Sequence, residues 1–378
     1  MFSLFKTKLT QKEEYCLRNH KYRCIDRSIL SAYIFKRYTS FVLNNTPETI
    51  SPNMLTLFGY IIMLFNFITV ILYDVELCCK ESWISLFSAM CLFFYFTMDN
   101  LDGAQARKLK EMSPLGQLFD HGVDSCVVFF CMITLISSLR LGLSLTSLLV
   151  ILTVMYGFYF SGLEEKFTGL FEFGFISGPT EGIMFIIILH LMSAFRDTSL
   201  SYTVDCFTHH SSLTRVITFV PVSPLFLLSL SVFIYNYISS YFKSLKLTKI
   251  KKRREVFFSY FSIGLLIPPL YTLHSRFLLR PDLQIINLII FAQNFSLKYI
   301  EEVYCNIIGG RAHFYNFSYI LYVLFAISAY FFESASNGFV LVCLFFITLC
   351  YYLNSIYNAI FACKTSLKIN ILSLNKKN

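Results

Sequence analysis

An all-α polytopic membrane protein of about ten transmembrane helices, preceded by an interfacial helical segment, is the fold class this sequence predicts. Three observations carry that reading. Of its 378 residues 56% are hydrophobic and 15% charged, with a mean hydropathy of +0.59, whereas soluble chains carry about 25% charge. Apolar segments long enough for a hydrocarbon core of roughly 30 Å recur along most of the chain. Finally, Lys and Arg gather on one side of the arrangement that those segments impose.

The elements follow in order. Residues 1–52 read as one or two interfacial helices, because Ser28 to Val42 mixes Ile, Leu, Tyr and Phe with Arg and Lys. These first residues are polar and basic, unlike a cleavable signal peptide. Pro52 opens the first span, as proline does at a first helical turn. Spans are expected at 53–73, 83–98, 117–139, 141–161, 182–196, 217–242, 255–273, 283–300, 315–333 and 338–362. Polar segments at 162–182, 243–254 and 301–317 interrupt them. The basic loop 243–254 separates six spans, within 53–245, from a four-span bundle, 246–362, and residues 363–378 form a tail.

With the N-terminus cytosolic, the segments on that side hold 25 Lys and Arg. The opposite side holds six, namely Lys80, Arg140, Arg196, Arg215, Arg276 and Arg280. This asymmetry favours an even number of spans with both termini cytosolic. The net charge of +9 is therefore mainly a topology signal. KSLKLTKIKKRR at 243–254 is flanked by spans, which argues against nucleic acid as a partner and leaves the bilayer as its neighbour. The twelve cysteines are scattered without metal spacing and read as packing residues. Asn-x-Ser/Thr matches at Asn44, Asn294 and Asn316 fall in cytosolic or membrane segments, where glycosylation is not expected.

Chemistry concentrates in DNLDGAQARKLKEMSPLGQLFDHGVD, where Asp99, Asp102, Asp120 and Asp124 stand at the meeting of two spans. Asp99 and Asp102 are separated by about 60° around a helix, and Asp120 and Asp124 by about 40°, so each pair shares a face. Ser113, Pro114 and Gly116 provide the reversal that turns the second helix back along the first. Four carboxylates at a membrane boundary repel one another, and a divalent cation would hold them together. All-oxygen ligation favours Mg²⁺ or Mn²⁺, in one ion or two. Gly103 and Ala106 leave room beside the acids, and Arg107 offers a planar donor to phosphate.

The pattern DxxDGxxAR…G…DxxxD, filled by Asp99, Asp102, Gly103, Ala106, Arg107, Gly116, Asp120 and Asp124, resembles the CDP-alcohol phosphatidyltransferase family. SPLGQLFDHGVDS, KYRCIDRSIL, SPNMLTL and FISGPTEG resemble its eukaryotic choline/ethanolamine phosphotransferase branch, over about residues 20–182. Beyond that the likeness thins to topology and short echoes such as GGRAHFYNF.

The resemblance implies that 53–245 is the catalytic core. It also implies transfer of phosphocholine or phosphoethanolamine from CDP-choline or CDP-ethanolamine to diacylglycerol, releasing CMP, at an endoplasmic reticulum or Golgi membrane. Homodimerisation is a further family expectation. His121, on the same helix as Asp120 and Asp124, suits the general base that takes the acceptor proton, since imidazole titrates near 6.5; Asp124 is the rival base. Glu181, Glu164 or Glu165 would orient that imidazole, and Asn53 would meet the nucleotide unless it serves as a helix cap. Three other readings compete. One is a family member with a different alcohol acceptor. An intramembrane prenyltransferase would need two separated aspartate motifs, and a transporter would need acids along a path across the bilayer.

Overall fold

A computed structural model describes residues 3–79, 81–173, 178–195, 224–248, 252–332 and 337–374. Lys80, Arg196, Cys206, Arg215, the start of the sixth expected span (217–223) and residues 175–177 of FISGPTEG lie outside the described residues. The fold is all-α and polytopic. After α1 (Gln11–Asn19), a π-helical turn (Ser31–Phe35) and α2 (Lys36–Asn45) come α3 (Pro52–Tyr73), α4 (Ser82–Leu109), α5 (Pro114–Ser138), α6 (Leu145–Thr168) and α7 (Pro179–Ala194). The second half contains α8 (Pro224–Leu247), α9 (Arg253–Gly264), α10 (Ile267–Arg276), α11 (Pro281–Ile308), α12 (Phe317–Phe331) and α13 (Asn337–Leu367). By length and composition, α3, α4, α5, α6, the α9–α10 segment and α13 are each long and apolar enough to cross a membrane, and α7 and α12 are shorter apolar helices.

Three differences from expectation have physical causes. The helix holding Asp99 does not stop near residue 98 but runs to Leu109, so Asp-Gly-Ala-Gln-Ala-Arg is helical and the reversal is confined to 110–113. Lys110 adopts a left-handed conformation (φ 59°), and the amide of Glu111 reaches back to the Ala106 carbonyl at 2.9 Å, closing the helix end. The expected seventh span is two helices, parted just before Pro268 and Pro269, which supply no amide proton to continue the ladder. Third, the N-terminal segment is more than interfacial helix. Cys24–Asp26 pairs in parallel with Phe171–Phe173, Cys24 opposite Phe171, and this ties the segment to the end of α6.

Within a bilayer, apolar surface gives helices little reason to associate, so close packing and polar contacts must do so. Gly59 on α3 lets Tyr95 of α4 approach, since a Cβ there would lie 3.1 Å from the ring. α3 and α4 are also joined by Ser88 donating to Asn66 at 3.0 Å. At the end of the bundle away from the aspartates, Asp74 gathers the Cys78 and Cys79 amides (3.0 and 2.8 Å) and the Ser137 hydroxyl (2.5 Å).

The centre is α11, packed on α5, α6, α10 and α13 and buried over most of its length. Its Asn287 donates to the Leu270 carbonyl (3.1 Å) and accepts from Tyr322 (2.7 Å), and Gln293 accepts from Thr348 (2.8 Å). Near its C-terminal end, Glu302 meets Lys166 of α6 at 2.7 Å and Lys298 at 3.5 Å, and Lys166 also meets Glu255 of α9 at 3.2 Å. Lys166→Met would leave Glu302 buried with half its compensation, a loss of about 3 kcal/mol. A clearly lower unfolding temperature in detergent is expected, and an unchanged one would contradict this reading of the network.

Candidate active site

The site forms where the first turns of α3 and α5 meet the last third of α4. Asp99 projects from α4 toward α5, where Asp120 and Asp124 are one turn apart. One carboxylate oxygen from each of the three lies within 4.8 Å of the others. At that separation two full charges repel by roughly 3 kcal/mol, even at an effective dielectric constant near 20. Protein donors offset little of this. Tyr95, one turn before Asp99, donates its hydroxyl to Asp124, and Asp120 Oδ1 is buried with no hydrogen-bond partner among the described residues. A buried, unsatisfied carboxylate oxygen facing two more acids is a donor set for a hard divalent cation. The residues present therefore fit Mg²⁺ or Mn²⁺.

Asp102 sits one turn further along α4, is 7% exposed, and accepts from the Thr56 hydroxyl of α3. The structure thus brings three of the four aspartates into one cluster and ties the fourth to α3. Gly103 faces Arg107, whose Nη1 would lie 3.4 Å from an added Cβ; Arg107 is exposed and Ala106 half-buried beside it. Gly116 lies between the Ser113 hydroxyl and Asn53, at 3.3 and 3.6 Å from the position of an added Cβ. Asn53 itself donates to the Ile371 carbonyl at 2.8 Å, so the chain beyond α13 lies against it.

His121 is buried, and Tyr22, Phe171 and Tyr299 pack around its ring, with centroids at 5.7, 5.7 and 6.4 Å. Its Nδ1 lies 3.4 Å from the Tyr299 hydroxyl. None of the three acids considered as its partner reaches it. Glu181 accepts from the Ser28 hydroxyl (2.7 Å) and the Leu30 amide (3.1 Å), and so secures the start of the π-helical turn. Glu164 pairs with Lys243 at 2.6 Å. Glu165 accepts from Gln117 at 2.9 Å, and Gln117 in turn meets His20 Nε2 at 2.9 Å. Burial holds the His20 imidazole below its usual pKa, offset in part by that hydrogen bond.

Tyr95, Thr56, Gln117, Tyr22, Phe171 and Tyr299 were not singled out by sequence reasoning. Some signals were present. Tyr95 and Gln117 precede Asp99 and His121 by four residues, and Thr56 follows Asn53 by three, all helical neighbours. Tyr299 had none, being 178 residues from His121.

The family model described as CDP-alcohol phosphatidyltransferase matches residues 49–211, from the start of α3 past α7, and includes all four aspartates. A protein of Encephalitozoon cuniculi, CDP-diacylglycerol–serine O-phosphatidyltransferase, is 35% identical over 325 residues, 84% of each chain. Choline/ethanolaminephosphotransferase 1 of Saccharomyces cerevisiae is 32% identical over 46% of this chain and 44% of its own length. Its Arabidopsis thaliana namesake is 31% identical over 47% and 46%. The chain thus matches about half the length of those two relatives. It belongs to the CDP-alcohol phosphatidyltransferase family. It is accordingly a membrane transferase of phospholipid synthesis, in an enzyme class that generally uses divalent metals.

Proposed function

We propose that the protein transfers phosphoethanolamine, phosphocholine or both from the CDP-alcohol to diacylglycerol, giving the phospholipid and CMP. The observation that carries this is the convergence of Asp99 of α4 with Asp120 and Asp124 of α5, one oxygen left without a partner among the described residues, beside a histidine on α5. Asp99, Asp120 and Asp124, with Asp102 alongside, would hold one or two Mg²⁺ or Mn²⁺ ions. Bound there, the metal would neutralise the pyrophosphate and stabilise the departing CMP.

The chain's own residues do the rest. Arg107 reaches phosphate oxygen across the space left by Gly103 and Ala106, and Gly116 with Asn53 lets the nucleotide approach the α3 and α5 termini. His121 takes the proton of the diacylglycerol hydroxyl as its oxygen bonds to the β-phosphorus and the bond to CMP breaks with its electron pair. The acids stand at one end of the spans, which suits one water-soluble and one lipid substrate. In this reading residues 53–245 form the catalytic core, 246–362 the supporting bundle and 363–378 a tail. The site and both termini face the cytosol at an endoplasmic reticulum or Golgi membrane, in a protein able to form homodimers.

A second reading has serine as the acceptor and CDP-diacylglycerol as the donor. Its support is the similarity to the Encephalitozoon cuniculi protein along 84% of both chains. Membranes from cells expressing the protein separate the two readings. Labelled CDP-choline or CDP-ethanolamine should pass into lipid only with diacylglycerol and Mg²⁺ or Mn²⁺. Incorporation of labelled serine with CDP-diacylglycerol, and none from the first pair, would overturn the first reading in favour of the second.

A further inference from the structure

Tyr299 lies on α11, beyond the segment that the family model matches, and yet it enters the site. It is 1% exposed, its ring lies within 23° of parallel to that of His121, and its hydroxyl is the single hydrogen-bonding atom that meets the imidazole among the described residues. Its place is built into a facing helix. A Cβ at Gly162 of α6 would come within 2.5 Å of the Tyr299 ring, closer than real contacts allow, so a glycine there is what admits the ring. Phe158 and Tyr159 of α6 flank it at 4.5 and 6.1 Å. The phenol is therefore held by packing on two helices, and the imidazole has one oxygen to orient against.

We infer that Tyr299 is the positioning residue for His121: the phenolic oxygen accepts Nδ1–H, which selects the tautomer with an unprotonated Nε2. That nitrogen bonds to no described residue and is left to take the acceptor hydroxyl's proton. This is the role that the sequence assigned to a carboxylate. A neutral phenol in that role adds no further negative charge beside the aspartates. It also makes the second half of the chain part of the catalytic apparatus. The inference rests on the base role proposed for His121.

Tyr299→Phe keeps the ring and removes the oxygen, and it is tested with full-length protein in lipid nanodiscs on whichever donor and acceptor pair the wild type turns over. About a tenfold or greater fall in kcat is expected, as for loss of an orienting partner, with the KM for the CDP-linked donor and the unfolding temperature within error of wild type. Combined with His121→Ala, the variant should lose nothing beyond His121→Ala alone, since it acts through that ring. Wild-type kcat in Tyr299→Phe, or additive losses in the double variant, would overturn the inference. So would a fall in kcat accompanied by equal loss of donor affinity and thermal stability, which marks a packing role. His121→Ala measured alongside separates the failures: if it turns over normally, the base assignment itself is wrong.

Discussion

Asp120→Asn is expected to cut turnover by roughly a hundredfold to a thousandfold, the scale of losing one preorganised charge-stabilising group, while leaving the protein folded. The substitution keeps the shape and removes one negative charge. At Asp120 Oδ1 no hydrogen bond is lost among the described residues, because that oxygen has none there. It also relieves repulsion from Asp99 and Asp124, whose oxygens lie within 4.8 Å. Without divalent cation the variant should therefore unfold at the same or a higher temperature than wild type. Adding Mg²⁺ should stabilise wild type by mass action and the variant much less. Equal stabilisation of both by Mg²⁺, or near-normal turnover in the variant, would remove Asp120 from the metal site.

His121→Ala should lower kcat by about 10²–10⁴, the range for general acid–base groups, with little change in donor affinity. The ring is buried among Tyr22, Phe171 and Tyr299 and makes no hydrogen bond to Asp99, Asp120 or Asp124. Its loss would remove the proposed proton acceptor and leave the aspartates and Arg107 in place. Steady-state kinetics with CDP-linked donor varied at saturating acceptor read the two effects separately. An equal collapse of affinity would make His121 a binding residue and return the base role to Asp124.

Much of the site was legible because it is local. Asp99 and Asp102 on one helix, Asp120 and Asp124 on the next, and Ser113-Pro114 between them encode an antiparallel pair whose acids must face each other. Helical spacing alone carries that information. The outcome at Asp102 was not legible, because its bond to Thr56 depends on how α3 packs. Glu181 is a more instructive case. It stands in the first turn of α7, but the N-terminal segment takes its carboxylate through Ser28 and Leu30. That segment arrives there because Cys24–Asp26 pairs with Phe171–Phe173, a three-residue contact with no alternating pattern to announce it. Hydropathy placed the apolar segments well and overlooked the break at Pro268–Pro269, since the residues on both sides stay apolar. The imidazole's neighbour was the least visible of all: only the packing of α11 against Gly162 of α6 brings Tyr299 to it.

In the proposed reaction a cation at Asp99, Asp120 and Asp124 grips the diphosphate of a CDP-linked alcohol. Equilibrium binding of CDP-ethanolamine, CDP-choline and CDP-diacylglycerol to purified protein in nanodiscs, with Mg²⁺ or Mn²⁺ and with chelator, tests it most directly. At least one donor should bind only when the divalent cation is present, and that binding should vanish in Asp120→Asn. Binding of equal strength in chelator, or no donor bound by folded protein under any condition, would contradict it.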